Sequence, residues 1–170
     1  MKIKNLLVAM GCAVLLCGCT ESTIVKPQAQ GTEAEPDFNL YTNIEVDMDQ
    51  LQEDVNDIYL DEKDYPMASA IDFEINNEEE YVAVAVVVKD GTSAEDAAYF
   101  ADVALKGIND EYAMQDFSYG ESAEDTFGGL YQEREIRLAI FEESAYDAGG
   151  EPMFETVVPK DEYMIFEIEE

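Results

Sequence analysis

The sequence contains no histidine and no tryptophan, and its three cysteines, Cys12, Cys17 and Cys19, all lie close to the N terminus. Without histidine the chain can form neither Ser-His nor Cys-His catalytic pairs, nor the zinc and haem sites that use histidine ligands. The chain beyond Cys19 has no thiol, which excludes disulfides, cysteine nucleophiles and cysteine-ligated metals from it. We therefore expect no catalytic residues, no metal site and no cofactor.

Basic residues are also scarce, with 9 Lys and Arg against 40 Asp and Glu and a formal net charge of −31. Omitting residues 1–18, which contain Lys2 and Lys4 and no acidic residue, leaves seven basic residues against 40 acidic ones, a net charge of −33. This charge excludes nucleic acid as a partner, because nucleic-acid binding depends on cations that displace counterions from phosphates, and it repels anionic lipid headgroups. The expected partners are a basic peptide or basic protein surface, with weak and diffuse binding of divalent cations. The alternative is that the acidic surface serves only solubility.

The first 18 residues have the pattern of a secretory signal peptide. Lys2 and Lys4 precede an uncharged run over residues 5–18, which is apolar after its first residue. The run is shorter than the roughly 20 apolar residues that a permanent bilayer-spanning helix needs, and a positive start with a short apolar run is typical of export signals. We therefore expect residues 1–18 to be removed after export.

The signal ends in Leu16, Cys17, Gly18 and Cys19. This ending resembles the lipobox of bacterial lipoproteins, in which a leucine, a variable position and a small residue precede an invariant cysteine. The resemblance implies that Cys19 carries a diacylglyceryl group on its sulfur, that cleavage follows Gly18, and that the protein is lipid-anchored at the extracytoplasmic face of the cell membrane. Cleavage as an ordinary secretory signal is the alternative, and Thr20 does not distinguish a host with one membrane from a host with two.

The rest of the chain divides into a tether and a domain. Residues 19–43 are predicted to be the lipidated cysteine and a flexible tether, because Pro27, Gly31 and Pro36 interrupt a segment without sustained periodicity. A flexible chain of this length reaches roughly 25–30 Å. Residues 44–170 are predicted to form a single acidic α+β domain.

Two helices are predicted from capping signals and apolar spacing. Asp47 begins a capping box before a helix over residues 48–60, and Thr92 begins another before a helix over residues 93–113. Gly107 lies on the apolar side of the second helix, where the absence of a side chain is predicted to allow close approach to a sheet.

The remaining apolar segments predict strands. Residues 71–75 alternate between apolar and acidic, and residues 81–88 are an apolar run typical of a central strand with both faces covered, so the two are predicted to form a hairpin. A third strand is predicted within residues 130–140, and residues 154–158 and 163–168 are predicted to form a closing hairpin. The order α-β-β-α-β-β-β predicts an α+β fold, with an antiparallel or mixed sheet of four to five strands and two helices on one face.

The segment 112–131 is predicted to be the binding site, because long loops in compact domains are often functional and this loop interleaves aromatic with acidic side chains. The candidate binding residues are Phe117, Tyr119, Phe127, Asp116 and Glu124. Rings beside carboxylates suit a basic peptide, through cation–π contacts and charge. The alternative is that the rings fold back as a lid over the core.

No motif in the chain assigns a specific chemistry. The acidic stretches lack the ligand spacing of an EF-hand loop, and the glycine pairs at 128–129 and 149–150 lack the spacing of a phosphate-binding loop. The expected function is therefore a non-catalytic binding or interaction module on the outer side of a membrane. Two alternatives stay open: a structural envelope protein without a small ligand, and a hydrolase that depends on carboxylates.

Overall fold

The structure, a computed structural model, describes residues 44–168. In chain order its elements are α1 (Met48–Tyr59), β1 (Ala68–Asn76), β2 (Tyr81–Val88), α2 (Ala94–Gln115), a short 3-10 helix (Gly129–Tyr131), β3 (Glu135–Glu142), α3 (Glu143–Asp147) and β4 (Phe154–Val158). They form a mixed sheet of four strands with helices, which confirms the predicted α+β class. The signal peptide, Cys19 and the tether lie outside the described residues.

Helix α1 begins at the predicted cap. The Asp47 carboxylate accepts hydrogen bonds from the backbone N–H groups of Asp49 and Gln50, both at 3.1 Å, which satisfies two of the free donors at a helix start. The N–H of Asp47 itself donates to the side chain of Gln115 on α2 at 2.8 Å. The start of α1 is therefore fastened to the end of α2, while Leu51 points into the core.

Helix α2 begins one residue later than the predicted capping box. Its cap is Ser93, whose hydroxyl accepts from the N–H of Asp96 at 3.1 Å and donates to the Asp96 carboxylate at 2.7 Å. The predicted cap, Thr92, instead donates its hydroxyl to the carbonyl of Lys89. The buried apolar side chains of α2 recur at helical spacing and are Ala97, Phe100, Ala101, Ala104, Leu105, Ile108, Tyr112 and Ala113.

Gly107 faces α1 rather than the sheet, so the predicted role of this glycine is wrong. A Cβ atom at position 107 would overlap the ring of Tyr59, the last residue of α1. The missing side chain therefore makes room for an aromatic ring between the two helices. Burial there raises the pKa of Tyr59 to about 12, and the nearby Glu111 carboxylate adds to this shift.

The sheet has the order β1-β2-β3-β4. β1 and β2 form the predicted antiparallel hairpin, β2 and β3 are parallel, and β3 and β4 are antiparallel. One face of the sheet packs against α1 and α2, and that side holds the core. The largest fully buried side chains are Phe100, Phe127, Leu51, Ile71, Leu105, Ile108, Leu130, Ile136, Leu138 and Ile140.

Two strand predictions are wrong. Leu130 lies in the 3-10 helix, and β3 begins only at Glu135. Residues 163–168 have no regular secondary structure, so the observed order is α-β-β-α-β-α-β rather than one that closes with a hairpin. Phe166 is nevertheless only 6% exposed, and its ring lies 5.9 Å from that of Phe127. Most of the apolar residues of this segment therefore pack against the core, with Phe166 the most deeply buried, without forming a strand.

Candidate functional site

Two of the five predicted binding residues are buried. Phe127 is 1% exposed, and its ring packs against those of Tyr131, Tyr163 and Phe166. Asp116 is also buried, and its carboxylate accepts hydrogen bonds from the backbone N–H and the hydroxyl of Ser118, at 3.0 and 2.7 Å. Phe127 packs in the core and Asp116 stabilises a turn, so neither side chain is accessible to a ligand.

The other three candidates have accessible surface, to different degrees. Tyr119 is half-buried and packs edge-on against Tyr112, with ring centroids 5.0 Å apart. Phe117 is 78% exposed, and Glu124 is exposed on the same loop. The structure therefore does not bring the five predicted residues together at one surface.

The loop is fastened to α2 by Asn109, a fully buried polar residue that the sequence reasoning did not single out. The Asn109 amide donates to the carbonyl of Gly120 at 3.1 Å and accepts from the N–H of Leu130 at 2.9 Å. The adjacent Asp110 accepts hydrogen bonds from the N–H and hydroxyl of Ser122. Because these bonds fix the middle of the loop, at Gly120 and Ser122, and its end, at Leu130, the loop belongs to the scaffold of the domain.

Within residues 44–168, the opposite face of the sheet carries no long helix. In β2, Val82, Val84 and Val86 point towards the helices, whereas Ala83 and Ala85 point away and are only partly buried, as expected for side chains that alternate along a strand. The prediction that both faces of this strand are covered is therefore wrong. We call the uncovered surface the open face, and its members are Asp72, Glu74, Tyr81, Ala83, Ala85, Glu135, Arg137, Ala139, Phe141, Glu155 and Val157.

A shallow groove of about 480 Å³ runs over the open face. Its floor consists of Ala83, Ala85 and Ala139, whose small side chains leave the space above the strands free. Two carboxylates of β1, those of Asp72 and Glu74, line one side of the groove. The floor is apolar and the margin is acidic, which is an arrangement that fits a ligand with both apolar and cationic parts.

Two tyrosines on this side of the sheet donate their hydroxyls to the β1 carboxylates, and one of them, Tyr146, lines the groove. Tyr81 donates to Glu74 at 3.3 Å, and Tyr146 of α3 donates to Asp72 at 2.5 Å. The Tyr146 ring also packs against Phe141, with centroids 5.3 Å apart. The hydrogen bond to Asp72, followed by partial burial, raises the pKa of Tyr146, so its hydroxyl stays a proton donor.

Arg137 is the one basic residue that projects from the described part of β1–β4 onto the open face. Its guanidinium carbon lies 3.8 Å from the centroid of the Tyr81 ring, and two of its nitrogens lie 2.8 Å from a Glu135 oxygen. Arg137 is thus neutralised by its own strand neighbour.

The other acidic residues of the open face have no basic partner within the described residues. Asp72, Glu74 and Glu155 form no ion pair with any basic residue among 44–168. The open face is therefore an acidic surface with exposed aromatic and apolar groups. The alternation of alanine with valine in β2 places small residues on one face of the sheet and large ones on the other, but it does not indicate which face is uncovered.

Other kinds of site are not found in the part of the chain that the structure describes. Within residues 44–168 no three acidic side chains converge as metal ligands would, no buried side-chain polar atom lacks a hydrogen-bond partner, and no helix is long and apolar enough to span a bilayer. Comparisons of the chain with protein-family models, with curated proteins and with solved structures find no match.

Proposed function

We propose that this protein is a lipid-anchored extracytoplasmic lipoprotein whose domain is a non-catalytic binding module for a basic peptide or basic protein surface, which it contacts with its open face. The observation that carries the proposal is the combination, on one side of the sheet, of carboxylates that have no ion pair within residues 44–168, partly exposed rings and an alanine floor. An acidic surface attracts a basic partner over a distance and speeds the encounter.

Charge and shape favour this function over the alternatives. A second copy of the chain is a poor occupant of the open face, because each copy carries a net charge near −31 and the two would repel. A carboxylate-dependent hydrolase needs one desolvated carboxyl in a cleft, whereas Asp72 and Glu74 are both exposed beside a shallow groove. A purely structural role would leave the exposed groove and its aromatic margin without a purpose.

The binding proposal is tested with a probe of known chemistry. The full chain, purified in a non-ionic detergent, is titrated with a fluorescent oligo-lysine peptide at low salt. The double variant Asp72→Asn/Glu74→Gln should weaken binding about five-fold, since each carboxylate contributes an ion pair worth up to about 1 kcal/mol. The matched control is Asp49→Asn/Glu53→Gln, which removes the same charge from exposed positions of α1. Equal losses for the two double variants would mean diffuse attraction and would overturn the open face as the site.

The anchor is supported by the resemblance of Leu16–Cys19 to a lipobox and is tested separately. Cys19→Ala should abolish both lipid attachment and cleavage of the signal peptide by the lipoprotein peptidase. The protein should then lose its lipid-dependent retention at the membrane. Cys17→Ala is the matched control, because it removes a thiol two positions away, and it should leave attachment intact. Intact-mass analysis that finds lipid on Cys17, or no lipid on the unaltered protein, would contradict the anchor.

A further inference from the structure

On the open face a tyrosine hydroxyl donates to a β1 carboxylate at two places, Tyr81 to Glu74 and Tyr146 to Asp72, and the Tyr81 ring also carries an arginine that is paired with a third carboxylate, Glu135. Arg137 lies over the Tyr81 ring at 3.8 Å and donates to Glu135 at 2.8 Å. The guanidinium is thus held by an aromatic face and a carboxylate together. Such contacts use the planar shape of the guanidinium, which can stack and donate hydrogen bonds at the same time.

The second pairing is that of Tyr146 with Asp72. The Tyr146 ring is 36% exposed, and no cation of residues 44–168 lies over it. The Tyr146 hydroxyl bonds to one Asp72 oxygen, which leaves the other oxygen free of side-chain partners in the described chain. Both groups border the alanine floor of the groove.

We infer that Tyr146 and Asp72 form a subsite for an arginine side chain of the partner, and that Arg137 on Tyr81 shows within the same protein how such a side chain is held. The inference rests on the proposed function and adds the side chain that is recognised. An arginine can stack on the ring while its fork of donors meets the carboxylate. A lysine can place its ammonium over a ring, as Lys106 does over Tyr163 beside Asp102, but it has no planar face that stacks flat on the ring and no fork of donors for the carboxylate, so we expect it to bind this subsite less tightly.

Helix α3 holds Tyr146 in place before any ligand arrives. The N–H of Ser144 donates to Asp90 at 2.9 Å, and Glu143 accepts from the Ser69 hydroxyl at 2.8 Å. These bonds fasten the short helix both to the turn that follows β2 and to β1. Because the ring is already positioned, binding does not have to order it, which favours affinity.

The test compares oligo-arginine with oligo-lysine of equal length on the full chain in a non-ionic detergent. The unaltered protein should bind oligo-arginine more tightly, by about five-fold. Tyr146→Leu and, separately, Asp72→Asn should each remove most of that preference, while Tyr146→Phe, which keeps the ring, should retain it. Tyr99→Leu is the control, because Tyr99 is an exposed ring on α2, and it should change neither affinity.

The possible failures are distinguishable. Equal affinity of the unaltered protein for both peptides, or a preference that survives both Tyr146→Leu and Asp72→Asn, would overturn the arginine subsite. If Asp72→Asn/Glu74→Gln still weakens both peptides more than its α1 control does, the proposed function stands without the subsite. If that double variant behaves like its control, both proposals fail. Thermal melting identifies any variant that has lost its fold. If Tyr146→Leu does not fold, the effect of Asp72→Asn on the preference for arginine decides whether the subsite exists.

Discussion

The side-chain amide of Asn109 occupies the space in which any residue other than glycine at position 128 would place its Cβ atom. Gly128 also has a φ of +103°, a backbone conformation that side chains disfavour. Asn109 holds the loop that leads into β3 through the carbonyl of Gly120 and the N–H of Leu130. The contact therefore joins α2 to the segment that leads into β3.

Gly128→Ala should lower the free energy of unfolding by about 2–4 kcal/mol, because it combines backbone strain with a displaced Asn109. The matched control is Gly149→Ala, which also has a positive φ, +64°, but has no atom within 4 Å of the added carbon. That variant should lose only about 1 kcal/mol. Urea unfolding measures both, and equal losses would mean that Asn109 moves aside without cost.

Segment 112–131 contains one buried phenylalanine, Phe127, and one exposed phenylalanine, Phe117, and truncation of the two side chains should affect stability differently. Phe127→Ala should cost about 3–5 kcal/mol, as expected for a large aromatic residue removed from the core. Phe117→Ala should change stability by less than about 0.5 kcal/mol, because its ring is mostly exposed. Denaturant unfolding of the two variants checks this prediction, and a large loss for Phe117→Ala would mean that its ring is covered in solution.

Glu111 should make the stability of the domain depend on pH. Burial, followed by repulsion from Asp54 and Asp110, raises its pKa above the ordinary value of 4.5. A raised folded-state pKa means that the folded state binds the proton more tightly, so this stabilisation is complete below pH 4.5 and is lost as pH rises through the folded-state pKa. Glu111→Gln should therefore stabilise the domain at neutral pH and have little effect in acid.

Any substitution that removes a negative charge relieves general repulsion, so this prediction needs a control. Glu53→Gln removes the same charge from an exposed position of α1. Urea unfolding at about pH 4 and about pH 7 should give Glu111→Gln the larger gain at neutral pH. A gain no greater than that of Glu53→Gln would contradict a specific effect at Glu111.

Salt should stabilise the protein. At a net charge of −31, self-repulsion favours the expanded chain, and ions screen it over a Debye length of about 8 Å at physiological ionic strength. We expect sodium and calcium chloride, matched for ionic strength, to raise the melting temperature by a similar few degrees. A saturable shift at micromolar calcium that sodium does not reproduce would instead reveal a specific cation site.

Local features of the fold could be predicted from the sequence, because their causes are local. The cap at Asp47 and the apolar spacing after it predict α1 to within a residue of its end. The turn between β1 and β2 likewise joins strands that are close in sequence. The parallel pairing of β2 with β3 could not be predicted in the same way, since residues 89–134 separate the two strands.

The candidate site was harder to predict for a related reason. Ala83 and Ala85 are small enough to lie either under a helix or in the open, so their identity does not reveal that the second face is uncovered. Phe117 and Phe127 are both aromatic residues of one loop, and what buries Phe127 is a core assembled from distant segments, including Tyr163 and Phe166. In both cases exposure depends on tertiary contacts that no short window of sequence contains.

The parallel pairing of β2 with β3 has a consequence for the protein while it folds. The apolar strand Tyr81–Val88 has only β1 beside it until residues 89–134 have formed their crossover, so one of its edges stays open meanwhile. An unpaired apolar strand edge invites pairing between chains and aggregation. Acidic residues 78–80 stand immediately before this strand, and Lys89 and Asp90 stand immediately after it. Charges in such flanking positions act as gatekeepers against aggregation, so we expect these residues to protect the folding molecule in addition to the contacts that they make in the folded one, such as that of Asp90 with Ser144.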